Sequence, residues 1–348
     1  MIRALVSWCV IGIAFTAVAW MRVARARRRA QRLAPGAALV LRPLDAPSPA
    51  ELDNLAAHLP GAEQVIVSPW RPARASGRWL PSRPRALNRK LGHLQLALST
   101  LELGAAPVLS VDADVRVDGP LIGALLGALA DGADLAWAAP HPCEPGAIRG
   151  LLVQSLHSFE VLDALGPGAK PICGKAMALS PRAQAALEDL PDCIGEDLEL
   201  SQVLHRQGLR VQRAGVARMS AASPPRAALA RFTRWMQVLR AHRPALFPSI
   251  PVLFTCTPPL LGAAALTRST SLAVAVAVLV AARTALASFL ERRAGIRLDW
   301  LKGEALLLAA WLGALALGPQ VTWRGRRLRV GPHGRLLETT ASAVRGAG

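Results

Sequence analysis

Two kinds of hydrophobic pattern divide this chain. Residues 4–21, ALVSWCVIGIAFTAVAWM, are an unbroken uncharged apolar run. At about 1.5 Å per residue, such a helix nearly crosses a hydrocarbon core of roughly 30 Å. From residue 37 to about 220 the apolar runs are short: AALVLRP, EQVIVS, APVLSVD, DLAWAAP, ICGKAMALS and LRVQRAG. Helical patterns at 49–59 and 86–103 lie between several of them. Strands alternating with helices predict an α/β domain with a mostly parallel sheet covered by helices. After Pro244 three long apolar segments follow, 250–266, 271–290 and 305–317. The expected organisation is an anchor at 1–22, an α/β domain at 37–243, membrane segments at 244–320, and a basic, partly disordered tail at 321–348.

Charge sharpens this picture. Lys and Arg number 41 against 23 Asp and Glu, a net +18, yet 52% of residues are hydrophobic and the mean hydropathy is +0.31. A nucleic-acid binder of this charge would rarely be so apolar, so no nucleic-acid partner is expected. A membrane protein with basic flanks satisfies both numbers. A cleaved signal peptide wants its charge before the apolar run. Here only Arg3 precedes it, and RVARARRRAQR, with six arginines, follows. The reading is an uncleaved anchor with its N-terminus outside and the α/β domain in the cytoplasm, at a bacterial inner membrane. The five cysteines show neither metal-ligand spacing nor a disulfide framework, as suits a reduced compartment.

The arginines of WRGRRLRV raise a topological question, because three C-terminal crossings would leave them outside. One segment should therefore not cross. The prolines at 251, 258 and 259 make 250–266 the better candidate for a re-entrant or interfacial element. The short run at 305–317 is the alternative. Arg283 is expected to snorkel toward the cytoplasmic end of its helix.

Three short motifs carry candidate chemistry. Asp112-Ala113-Asp114 ends an apolar strand, where ligands bind in parallel sheets. Two carboxylates so close could hold a hard divalent cation, or could simply form a solvated turn. Glu196 and Asp197 open GEDLELSQVLHRQG; acids suit the start of a helix, and one could serve as a general base. Arg231 and Arg234, at i and i+3 in RFTRW, could grip a diphosphate from one helix face or form a basic interfacial helix anchored by Trp235.

Together and in this order, the motifs resemble those of the family 2 and family 21 glycosyltransferases, ceramide glucosyltransferases and hopanoid-biosynthesis glycosyltransferases among them. LVLRPLDAPSPAELDNL is similar to that group's opening strand and helix, NRKLGHL to its Asn-x-Lys segment with His93 where Asn is usual, CGKAMALS to its strand before Glu-Asp, and VTWRGRRLRV to its close. The resemblance implies a GT-A fold, which is Rossmann-like, and an inverting transfer from a nucleotide-sugar donor, UDP-glucose or its N-acetylglucosamine counterpart, to a lipid hydroxyl. It implies Asp112 and Asp114 as ligands of Mn²⁺ or Mg²⁺, with Asp112, Asn88, Lys90, Arg231 and Arg234 toward the donor diphosphate. Asp197 would be the base, Glu196 its competitor for that role, and Trp235 would position the acceptor.

One departure stands out. The group usually carries an acidic residue after its second strand, toward the uracil and ribose of the donor, and VIVSPWRPARASGRW has none. Arg71, Arg74 and Arg78 stand there instead. Either another residue reads the nucleotide, or donor choice differs, or activity is impaired, as in a rival reading of the chain as a membrane-anchored relative that binds a nucleotide sugar or acts as a scaffold; a separate rival is a family 2 polysaccharide synthase, for which the chain is short.

Overall fold

The computed structural model describes residues 1–27, 38–57, 59, 61–104, 106–141, 149–152, 159, 161, 163, 168–220, 224–291, 298–323 and 326–338. Two compact units result: a helical one (1–30, 142–167, 222–316) and an α/β one (31–141, 168–221, 317–348). Helix α1, Ile2–Arg27, opens the chain. The α/β unit then runs β1 (Ala38–Pro43), α2 (Pro49–Leu55), β2 (Ala62–Ser68), β3 (Arg78–Pro81), α3 (Arg89–Thr100), β4 (Val108–Val111), β5 (Val115–Arg116), α4 (Gly119–Ala130), β6 (Leu135–His141), β7 (Ala176–Leu179), α5 (Pro181–Glu188), α6 (Glu196–Arg206) and β8 (Val211–Met219).

The strands form one mixed, mostly parallel sheet in the order β3-β2-β1-β4-β7-β6-β8-β5. Only β7 and β5 run against the rest. The six apolar runs of the sequence are the six interior strands. The two edge strands show no such run: β5 has only two residues, and β3, RWLP, buries only Leu80. Because β4 and β7 are buried on both faces, they show no alternation of apolar and polar residues, and the one polar side chain in them, Ser110, is itself buried. Three covering helices start on caps legible in the sequence. Ser48, Asp118 and Ser180 each accept a backbone N–H of the first turn, and each is followed within two residues by a proline.

The Asp112–Asp114 segment is a tight turn between β4 and β5, and its backbone is tied down at every residue. Asp112 N–H donates to Lys175 O (2.9 Å) on the neighbouring antiparallel strand, and Asp112 O accepts from Val115 N–H (3.0 Å). Asp114 O accepts from Ser220 N–H (2.8 Å). Ala113 O and Val115 O are each met by two side chains, the fully buried Arg42 of β1 (3.2 and 3.1 Å) and Asn54 of α2 (2.7 and 2.5 Å). These are the Arg of LRPL and the Asn of DNL.

The helical unit contains α7 (Pro225–His242), a π-helical turn (Ile250–Phe254), α8 (Thr257–Thr267), α9 (Thr270–Glu291) and α10 (Asp299–Leu317). Among the described residues three helices are long and apolar enough to cross a membrane: Ile2–Arg25, Thr270–Leu290 and Asp299–Leu317. Val10, Ile11, Val274, Val278 and Leu312 lie exposed on them. The segment expected not to cross is broken in two, and its 11-residue helix would reach only about 17 Å. Residues 305–317 are no short segment, because their helix begins six residues earlier at Asp299.

Arg283 departs from its expected place. It does not snorkel; its side chain is 3% exposed and ion-paired to the buried Glu304. Its guanidinium also donates to Phe254 O (3.1 Å) and Leu253 O, while Glu304 accepts from Thr257 N–H (3.2 Å). The broken backbone between the π turn and α8 leaves polar groups bare, and this pair satisfies them. The chain at Gly150 and the first turn of α10 meet so closely that a β-carbon on Gly150 would overlap the Asp299 carbonyl, and one on Gly303 the Gly150 carbonyl.

The last strands, β9 (Gln320–Trp323), β10 (Arg326–Val330) and β11 (Leu336–Glu338), form an antiparallel sheet. Residues 331–338, which the sequence places in a polar disordered tail, carry β11 and touch the loop before α6. Ile194 N–H donates to Gly334 O (2.8 Å), and Cys193 bridges to Arg335. The four described cysteines are buried and unpaired.

The shared carbonyls of the turn predict a non-additive pair. Arg42→Met and Asn54→Ala should each cost about 1–3 kcal/mol. The double variant should lose more than the sum, because only then are Ala113 O and Val115 O left bare. Thermal unfolding of the detergent-solubilised protein measures this; strictly additive shifts would contradict it.

Candidate active site

Four carboxylates and two ammonium groups gather where the carboxyl end of β4 meets the start of α6. Lys90 Nζ lies 2.8 Å from Asp112 Oδ1 and 3.2 Å from Glu196 Oε1, and donates to Gly174 O at 2.7 Å. Lys175 Nζ bridges Asp112 Oδ2 (3.1 Å) and Asp114 Oδ2 (2.6 Å). Both lysines are held in the charged form: burial alone would lower their affinity for the proton, but Asp112 with Glu196, and Asp114 with Asp112, outweigh it. Burial likewise pushes the Asp112 carboxyl up, and Lys90 and Lys175 overcome it, holding it at about 2. Asp114 Oδ1 is buried and has no hydrogen-bond partner.

Local sequence explains each placement. Asn88 caps α3, accepting Leu91 N–H at 3.2 Å, which sets Lys90 on the first turn. The Asn88 amide donates to Glu196 Oε2 and to Cys193 O, both at 2.9 Å. Asp192 accepts Leu87 N–H and Asn88 N–H, tying the start of α3 to the loop before α6. That loop turns on Gly195, whose φ of 77° lies in the left-handed region. Gly174 is hemmed in; a β-carbon there would stand 3.1 Å from Lys90 Nζ.

The two acids of the Glu-Asp motif have different surroundings. Glu196 is buried and spent on Lys90 and Asn88. Asp197 is half-buried and accepts only backbone N–H groups, from Gly174 (3.1 Å) and Leu198 (2.9 Å). Burial, with the adjacent Glu196 charge, raises its carboxyl to about 6 against the opposing pull of Lys90. A carboxylate poised there can take a proton near neutrality.

The α/β unit thus brings together Asn88, Lys90, Asp112, Asp114, Glu196 and Asp197. A pocket over the turn is lined by Leu44, Asp45, Glu51, Lys90, Asp112 and Lys175, with the buried His93, whose Nδ1 lies 2.7 Å from Ser82 Oγ. Arg231, Arg234 and Trp235 belong to the helical unit. There they are half-buried on α7, with the Trp235 ring 4.7 Å from that of Phe232. Arg71, Arg74 and Arg78 are exposed. Sequence reasoning missed Lys175, Arg42 and Asn54. The first lies beside Asp112 only through antiparallel pairing, which a one-dimensional pattern does not display.

Comparison with a solved structure supports the fold. A mannosyltransferase from Pyrobaculum calidifontis, solved with GDP-Man and Mn²⁺, superposes with a TM-score of 0.55 at 18% identity, covering 90% of this chain and 99% of that one. Glucosyl-3-phosphoglycerate synthase from Mycobacterium tuberculosis, solved with Mn²⁺ and UDP-Glc, gives 0.38 at 19% identity over 59% of this chain and 78% of its own. The fold is GT-A. No curated protein sequence matches the chain. The model of glycosyl transferase family 21 matches residues 82–336, a span that holds the cluster, the Arg-Trp helix and strands β9 and β10; the chain belongs to that family.

Proposed function

We propose that this glycosyltransferase transfers a sugar of glucose or N-acetylglucosamine type, with inversion, from a nucleotide-sugar donor to the hydroxyl of a ceramide-like or hopanoid-like lipid. The observation that carries this reading is the backbone-pinned turn with two carboxylates facing a lysine-lined pocket, next to a separate, proton-ready Asp197. A UDP-linked donor follows from the sequence resemblance.

The residues present fit a divalent cation. Asp112 and Asp114 are hard oxygen donors, and Asp114 Oδ1 is a buried acceptor still lacking a partner. Among the described residues no group of three or more His, Cys, Asp and Glu forms a complete metal cage. Phosphate oxygens and water would complete the shell, as Mg²⁺ and its analogues accept. A bound cation neutralises charge that grows on the departing nucleoside diphosphate. The mannosyltransferase captured with GDP-Man and Mn²⁺ favours the same pairing here.

The chain's own groups divide the remaining work. Lys90, braced by Glu196 and Gly174, presents its charge to the diphosphate. Asn88 acts through others, fixing Glu196 and the first turn of α3. The sequence resemblance assigns Arg231 and Arg234 to the donor diphosphate and Trp235 to the acceptor. Asp197 takes the proton of the attacking hydroxyl. A single base with attack opposite the leaving group gives inversion.

Connectivity supports an orientation. The strands after α10 pair with the loop before α6, so both lie on one side of any membrane. An even number of crossings must therefore separate them, and α9 and α10 supply two. With the arginines after α1 on the cytoplasmic side, the catalytic unit and the tail both face the cytoplasm.

Chelation, substitution, pH dependence and labelling check this reading. Chelation with EDTA should abolish transfer of labelled sugar into the lipid extract, and Mn²⁺ or Mg²⁺ should restore it; full activity in chelator would refute the metal assignment, and transfer to no lipid fraction would favour the impaired-relative reading. Asp197→Asn should lower turnover by about 10²–10⁴. The wild-type rate should fall as pH drops through about 6, where Asp197 becomes protonated. Glu196→Gln removes a neighbouring negative charge, so this limb should move to lower pH; an unmoved limb would assign it to another group. Finally, a membrane-impermeant maleimide added to intact cells should miss a Leu337→Cys variant, though that position is 49% exposed. Labelling from outside would break the topology.

A further inference from the structure

The position of Lys175 carries an inference that rests on the metal reading above. Its ammonium sits between the two carboxylates a cation would use, bonded to Asp112 Oδ2 and Asp114 Oδ2. Lys90 takes Asp112 Oδ1, so three of the four carboxylate oxygens already have an ammonium partner, and only Asp114 Oδ1 does not. Backbone pairing sets this arrangement: Asp112 N–H donates to Lys175 O, and Val111 lies opposite Ala176 in the antiparallel register of β4 and β7. The two lysines differ in how firmly they are held. Lys90 is also tied to Glu196 and Gly174 O, whereas the ion pairs of Lys175 among the described residues are with Asp112 and Asp114 alone.

We propose that Lys175 is a built-in counter-ion that holds the Asp112–Asp114 pair closed to a cation alone, so that cation and donor diphosphate bind as a coupled pair. A divalent ion entering between the carboxylates must displace the ammonium from at least one oxygen. A half-buried ammonium left without its partners is costly. An incoming diphosphate removes that cost by offering the displaced ammonium new anionic oxygens. Lys175 is thus a positioning residue for the cation, and a contact of the diphosphate once both are present. By reciprocity the same factor tightens each ligand in the presence of the other, and such couplings run about 5–150-fold.

Calorimetric titration of the detergent-solubilised full-length protein with Mn²⁺, alone and with saturating UDP or GDP, tests this. Wild-type protein should bind Mn²⁺ about tenfold or more tightly when a diphosphate is present. Lys175→Gln should bind Mn²⁺ alone more tightly than wild type, bind the diphosphate more weakly, and lose most of the coupling. Lys175→Arg should keep the coupling. Wild-type protein that binds Mn²⁺ equally well with and without diphosphate would overturn the proposal without need of any variant. Lys175→Gln with wild-type affinity for Mn²⁺ alone would overturn it too, while leaving the metal site intact. Absence of Mn²⁺ binding by wild type under every condition would overturn the metal reading and this proposal together.

Discussion

A tight turn that cannot move is the constraint on which the rest of this structure depends. Asp112 and Asp114 repel one another, and a free loop would relax by turning one of them to solvent. Here the backbone from 112 to 115 is fixed by Lys175 O and Ser220 on the flanks and by Arg42 and Asn54 beneath. With the peptide units fixed, the carboxylates remain side by side, and their repulsion must be met by charges brought to them. Lys90 and Lys175 do this, each from a different element. The sheet order, with β4 between β1 and β7, is what makes both deliveries possible.

The cluster remains negative after this compensation. Asp112, Asp114, Glu196 and Asp197 outnumber Lys90 and Lys175, even with the buried Arg42 counted beside them. An excess of buried carboxylate raises the proton affinity of whichever member is least well paired. Asp112, flanked by two ammonium groups, is held low at about 2, and Asp197, beside Glu196 and met only by backbone N–H groups, is raised to about 6. One electrostatic arrangement therefore separates two roles, an anion kept ionised to face a cation or diphosphate and an acid–base group set near neutrality. The left-handed Gly195 and the capping Asn88 are the local devices that turn Glu196 toward Lys90 and leave Asp197 to backbone N–H groups.

Much of this was legible in the chain. The central strands β4 and β7 announced themselves as apolar runs because they are buried on both faces, and two of the covering helices showed in the periodic patterns at 49–59 and 86–103. The Asp-x-Asp and Glu-Asp pairs stood out because carboxylates at strand and helix ends are chemically conspicuous. What stayed hidden depends on pairing across the fold. Arg42 and Asn54 lie about 60–70 residues from the carbonyls they hold, and Lys175 reaches Asp112 through strand register. Arg283 read as a lysine-like snorkeler, because its partner Glu304 lies on another helix and the bare carbonyls it satisfies come from a break in a third segment. The C-terminal strands escaped notice for a similar reason: an Arg-rich, polar stretch becomes ordered by pairing with itself and with the loop at Cys193.

Anomalous diffraction at the manganese edge, from crystals of the full-length protein grown with Mn²⁺ and a nucleoside diphosphate, tests the central claim most directly. The account predicts a single strong peak in the α/β unit at about 2–2.5 Å from carboxylate oxygens of both Asp112 and Asp114, with the Lys175 ammonium moved onto a phosphate oxygen. A manganese peak elsewhere, or a diphosphate bound with Lys175 still bridging the two aspartates and no metal between them, would contradict it.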